Sequence, residues 1–159
     1  MATRTDEVEA ALVTALKAAL ISVTKDVAAL TYEDVDADTD NIVVTAPAVR
    51  IQFQKEALQN MGDRNFLDYE SDQKWIALVG ASRPSTVEIE RGAAQNILEL
   101  AKDALAGLRL TLASNPQGNA VVMLGDPELF NQQQDGTWYA LPFTVKSFSS
   151  FTANIGSIR

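Results

Sequence analysis

The chain has 159 residues, of which 47% are apolar and 21% charged, and its formal net charge is −8. That size and balance suit one ordinary globular domain with a core, while the acidic surplus and scattered basic residues exclude a protein built to neutralise phosphates. Cysteine and histidine are both absent, which excludes disulfides, Cys-ligated zinc, thiol catalysis and every Ser-His-Asp or Cys-His mechanism.

No apolar run approaches the roughly 18 residues that span a bilayer. The opening MATRTDEVEA lacks the hydrophobic core of a signal peptide. Neither a membrane, a cofactor nor a specific nucleic-acid sequence is therefore expected as a partner.

An amphipathic helix is predicted over about residues 5–20. Val8, Leu12, Leu16 and Leu20 recur at i, i+4, with Ala15 and Ala19 on the same stripe. Thr3 or Thr5 can cap it, and Asp6, Glu7 and Glu9 complement the positive end of the helix dipole. The β-branched run ISVTKDVAAL then loses that period and has room for a short strand.

The acidic stretch EDVDADTD follows, within a loop at 31–41. It places Glu33, Asp34, Asp36, Asp38 and Asp40 within eight residues. Alternating carboxylates suggest a calcium loop, which needs Gly at position 6 and a bidentate Glu at position 12. Counting from Asp34, those positions hold Thr39 and Thr45; counting from Asp36, they hold Asn41 and Pro47. Neither register works, so the stretch is expected to be a solvated acidic surface.

Val49, Ile51 and Phe53 alternate with Arg50, Gln52 and Gln54, the pattern of a strand wet on one face. Pro47 restricts the residues before it to an edge or a turn. LQNMGDRNFLDYES, from Leu58 to Ser71, reads as a hairpin-like loop, and KWIALVGAS as a strand buried on both faces.

A second helix is expected over about 86–107. Ser85 and Glu88 have capping-box spacing, Ile89, Ala93, Ile97, Leu100, Ala104 and Leu108 form a stripe, and Gly107 stands near its end. Gly92 interrupts the first turns. The remainder reads as two strands around a turn at Asp135-Gly136. One strand carries Tyr139, Leu141, Phe143 and Val145 on one face, and its partner, Val121 to Phe130, is broken by Gly125 and Pro127.

The order α, β, β, α, β, β predicts a single α+β domain over 1–159: an antiparallel or mixed sheet of four to five strands covered by two helices. Its C-terminal tail, at 149–159, is expected to be extended. No pair among the acidic residues is singled out for glycosidase-like chemistry. LVGASRPSTVEIE lacks the second Gly and the Lys-Ser/Thr ending of a phosphate loop. Trp75 is assigned to the core. Trp138 precedes Tyr139, so one of the two should face out, as the rim of the core or as a partner anchor. NQQQDG reads as a hairpin tip or as a contact with a neighbouring subunit.

In this order, the helix DEVEAALVTALKAAL, the strands PAVRIQFQ and WIALVGAS, the helix GAAQNILELAKDALAGLRL and the segment VVMLGDPELFNQQQDGTWYALPFTVKSF resemble the tail terminator proteins of long-tailed, Mu-like phages. The pair Glu128-Leu129 before a hairpin and an aromatic strand belongs to that resemblance. The acidic loop and the tail SFSSFTANIGSIR have no counterpart in it.

The resemblance implies an α+β protein without enzymatic activity that assembles as a hexameric ring on the head-proximal end of the tail tube. It would stop tube polymerisation and meet the neck or connector protein and, in a contractile tail, the sheath protein. It implies location in the virion after assembly in the host cytoplasm.

The candidate subunit interface is the edge strand Val49, Arg50, Ile51, Gln52, Phe53 and Gln54, together with Val121, Met123, Glu128, Phe130 and Trp138. The acidic loop would face solvent, a basic patch on a partner ring, or the lumen. Competing readings are another ring-forming neck, completion or tube protein, a small carboxylate-dependent hydrolase, and a monomeric binding module.

Overall fold

The structure is a computed structural model that describes residues 3–39, 41–60, 68–82, 87–112, 115–133 and 136–150. Its architecture is α+β: helices α1 (Arg4–Ala19) and α2 (Val87–Leu105) lie on one face of a seven-stranded mixed sheet. The strands are β1 (Val27–Ala29), β2 (Ala48–Asn60), β3 (Asp68–Ser82), β4 (Arg109–Leu112), β5 (Asn115–Leu124), β6 (Glu128–Gln133) and β7 (Gly136–Ser150). The sheet order is β1-β2-β3-β7-β5-β4, with β6 also paired to β7. Among the described strands, only the β1–β2 pair is parallel.

Helix α1 starts where the chemistry requires. The Asp6 N–H donates to Thr3 Oγ1 and the Thr3 N–H donates to Asp6 Oδ2, each at 3.1 Å, a reciprocal cap that satisfies two otherwise orphaned donors. Val8, Leu12, Leu16 and Leu20 are fully buried, so the predicted stripe is the packed one.

In α2 the buried row is Ile97, Leu98, Ala101 and Leu105. The expected Leu100, Ala104 and Leu108 only flank the core. Both rows have helical spacing, and the small Ala101 marks the side that approaches the sheet. Gly107, at φ +70°, ends α2 in the left-handed conformation. Its N–H donates to the Val122 carbonyl, which ties the turn to β5. The proposed Ser85 cap and the Asp135 turn residue lie outside the described residues.

The sheet has more strands than the four to five expected. β1 and β4 are three and four residues long, too short for a periodic signal. The segment expected to be a loop from Leu58 to Ser71 instead extends β2 to Asn60 and starts β3 at Asp68. Ser71 and Gln73 are polar yet buried, so the alternation that reveals a strand is masked there.

The kinked Val121–Phe130 segment is two strands, which take successive stretches of β7. Between them the Gly125 N–H donates to the Pro142 carbonyl at 2.8 Å. A strand residue's N–H and C=O point to the same neighbour, so the donor that Pro142 lacks falls in this gap, where no ladder bond is lost. Ser149 and Ser150 continue β7, and the rest of the expected tail lies outside the described residues.

Apolar side chains line the helix side of the sheet and part of the opposite side. Val49, Ile51, Trp75, Val79, Leu141 and Phe143 face the helices in the main cluster. On the opposite face Ala48, Leu78, Trp138 and Ala140 form a smaller cluster with Ile42 and Ala46, from the segment between β1 and β2. That segment therefore lies across the back of the sheet and is held by Trp138. Burying one Trp removes about 150–250 Å² from water, an upper limit of about 4–6 kcal/mol.

Candidate subunit interface

The strand expected at the edge is only partly one. β1 pairs with Val49–Ile51, and the Leu30 N–H donates to the Ile51 carbonyl at 2.8 Å. Among the described residues no strand pairs with that side of β2 from Gln52 onward. Val49 and Ile51 are buried, Phe53 is half-buried edge-on against Trp75, and Gln52 and Gln54 are exposed.

Arg50 departs from the wet-face pattern. It is 8% exposed, with Nη2 2.8 Å from Asp26 Oδ1 and Nε 3.4 Å from Asp34 Oδ2. The back-face segment covers this part of the sheet, so the side chain that alternation assigns to water meets two carboxylates instead.

Beyond the bulge at Gln54, β2 and β3 continue, with β7, as a three-stranded extension of the sheet. Its base rests on a polar network: Ser71 Oγ donates to Glu56 Oε2 at 2.7 Å, and Arg4 Nη2 to Ser147 Oγ at 2.6 Å. Gln73 accepts from Trp75 Nε1 at 3.2 Å. Burial holds the Arg4 guanidinium below its ordinary value, opposed by the charges of Glu56 and Glu7.

In the other expected interface segment Met123, Glu128 and Phe130 are exposed and Val121 is half-buried. Leu129 joins them, at 54% exposed. Trp138 is fully buried and does not reach the surface of this chain, which corrects its candidacy as a contact. The expectation that Trp138 or Tyr139 faces out assumes a sheet covered on one side. Here Trp138 enters the back cluster and Tyr139 packs against the main one.

The acidic loop is a small closed hairpin. Val35 bridges Ile42, the Asp36 N–H donates to the Asn41 carbonyl, and the Val43 N–H donates to the Asp34 carbonyl. Asp36 Oδ1 accepts from the Asp38 N–H at 2.9 Å. Asp34 is only 18% exposed; besides Arg50 it accepts from the Thr31 N–H at 2.9 Å. Asp34 is thus a structural tie, and Glu33 and Asp38 are the exposed acids. Asp40 lies outside the described residues. No group of three or more Asp or Glu side chains among the described residues stands close enough to hold a metal ion.

One feature escaped sequence reasoning. On the back face, beside the covered half, lies an open groove of about 470 Å³ lined by Gln54, Lys55, Lys74, Met123, Thr144 and Lys146, among others. The register sets Lys55 opposite Lys74, Lys74 opposite Thr144 and Thr144 opposite Met123, one row across four strands. Lys74 Nζ donates to Thr144 Oγ1 at 3.0 Å. Lys146 Nζ stands 3.3 Å from Glu70 and 3.7 Å from Asp72; the hydrogen bond to Glu70 and the charge of Asp72 raise its pKa. These residues are far apart in the chain, and only strand pairing brings them together.

Neither protein-family models nor curated proteins match this chain. Among solved structures, a chain of the virion of a native gene transfer agent (GTA) particle is similar, with a TM-score of 0.59 at 14% identity. The likeness covers 94% of this chain and 100% of that one. The fold is shared. No helix among the described residues is long and apolar enough to cross a membrane.

Proposed function

We propose that this chain is a non-enzymatic structural subunit of a phage-like virion, and more specifically a tail terminator. In this reading it forms a hexameric ring on the head-proximal end of the tail tube, stops tube growth and offers a surface to the neck or connector. The observation that carries the reading is the end-to-end fold likeness to a chain of the GTA virion particle. The side of β2 left unpaired among the described residues from Gln52 onward and the exposed apolar side chains Met123, Leu129 and Phe130 support it, because open strand edges and exposed apolar side chains favour association. A head-to-tail contact that returns on itself closes a ring without further components.

The test is the mass of the purified chain in solution, alone and with tail tubes. A discrete species of six subunits that halts tube elongation is expected. A chain that stays monomeric at high concentration and leaves tube growth unchanged refutes the proposal. Unlimited polymerisation would instead identify a tube subunit.

A further inference from the structure

We propose that the lysine groove on the back of the sheet receives the acidic 33–38 loop of a second copy of this chain, an inference that rests on the ring reading above. The chain holds 21 acidic residues against 13 basic ones. Yet among the described residues the groove is lined by Lys55, Lys74 and Lys146 and by no carboxylate. Lys146 is already held between Glu70 and Asp72. Lys55 and Lys74 have no carboxylate within 4.0 Å among the described residues, and Lys74 meets only the Thr144 hydroxyl. Two ammonium groups therefore face the same opening with donors to spare.

The chain's own acidic loop is held elsewhere. Ile42 and Ala46 fasten its segment to the Trp138 cluster, Arg50 holds Asp34, and Asn131 Nδ2 donates to Asn41 Oδ1 at 2.8 Å. That anchoring leaves Glu33, in the 3₁₀ turn Tyr32–Asp34, and Asp38 exposed, with Tyr32 at 88% and Val43 at 56% exposed beside them. The loop offers carboxylates beside apolar surface, and the groove offers ammonium groups beside Met123, itself 51% exposed. Charge and apolar character complement each other on two different patches of one chain, which is what a head-to-tail contact requires. A phosphate backbone is the poorer occupant, since it brings charge without the apolar surface that the exposed Met123 of the groove can meet.

Two measurements test this. Sedimentation equilibrium compares the wild type with K55E/K74E, with E33K/D38K and with all four changes together, after circular dichroism has checked each fold. Each double variant is expected to weaken self-association at least about tenfold, and the fourfold variant to regain wild-type affinity within about threefold, because the ion pairs are re-formed in reverse. Rising salt is expected to weaken the wild-type contact, the Debye length being about 8 Å at physiological ionic strength.

Zero-length carbodiimide cross-linking of mixed light and heavy-isotope wild-type chains is expected to join Lys55 or Lys74 of one copy to Glu33, Asp36 or Asp38 of another. Assembly without those cross-links, or without rescue in the fourfold variant, overturns the groove assignment and leaves the ring standing. Absence of any self-association, with or without tail tubes, overturns both. Loss of binding to duplex DNA in K55E/K74E, with self-association intact, replaces the second copy by a phosphate backbone and overturns the proposal.

Discussion

Gly80→Ala tests whether the back of the sheet is a second packed core. A Cβ built at Gly80 meets Trp138 Cε2 at 2.6 Å, Cζ2 at 2.7 Å and Cδ2 at 2.8 Å. Carbon atoms prefer separations of about 3.5–4.0 Å, so the indole would have to retreat by about 1 Å. It has nowhere to go: Trp138 is fully buried and shares its cluster with Ile42, Ala46, Ala48, Leu78 and Ala140. Overpacking of a well-filled site costs about 1–3 kcal/mol, and three simultaneous close contacts place this substitution at the upper end. For a chain of this size, about 3 kcal/mol corresponds to a fall in Tm of roughly 6–12 °C.

Urea unfolding followed by Trp fluorescence, together with a thermal scan, measures the loss. Hydrogen exchange should quicken in the 30–47 segment more than in α1, because the ring being displaced is the one that holds the segment. Combining Gly80→Ala with Trp138→Phe should cost at least about 1 kcal/mol less than the two single changes added. A Gly80→Ala variant within about 0.5 kcal/mol of the wild type, or strict additivity of the pair, refutes the reasoning.

The acids of the loop should separate into two kinds. Asp34→Asn leaves the buried Arg50 guanidinium with Asp26 alone and is expected to cost about 1–3 kcal/mol in urea unfolding, whereas Asp38→Asn should stay within about 0.5 kcal/mol; equal costs would remove Asp34 from its structural role. At the start of α1, Thr3→Ala should cost about 1 kcal/mol through loss of the side-chain cap, measured by the same assay. The Asp6 carboxyl is held below its ordinary value of 3.8, first by the hydrogen bond from the Thr3 backbone. Its contribution is therefore present above 3.8 and lost as pH falls through the lowered folded value. Asp6→Asn should destabilise at neutral pH, with the difference from wild type vanishing in strong acid; a pH-independent difference would rule out the charge as the cause.

How much of this was legible in the sequence depends on how local each determinant is. The α1 stripe and its cap involve residues within one helix, so Val8, Leu12, Leu16 and Leu20 could be assigned from spacing alone. Arg50 and Trp138 were misplaced for a shared reason. Period-two alternation sorts side chains between two faces, but it does not say that both faces are covered. The cover is the segment carrying the acids, whose charges draw attention away from Ile42 and Ala46, the apolar residues that fasten it down. The lysine groove was out of reach for a different reason, since Lys55, Lys74 and Lys146 are aligned by strand register and by nothing local.

These two blind spots concern the same face of the sheet, and they are physically connected. A hairpin of like charges held only by solvent would repel itself and spread its carboxylates over many positions. Anchored through Trp138, Arg50 and Asn131, it presents Glu33 and Asp38 at fixed positions, with the entropy of ordering the loop already met by folding. With a rigid acidic projection and a lysine groove that it does not itself fill, the proposed head-to-tail contact sets one patch of a copy against the other patch of the next, and the anchoring residues, more than the acids, decide whether that pairing is available for assembly.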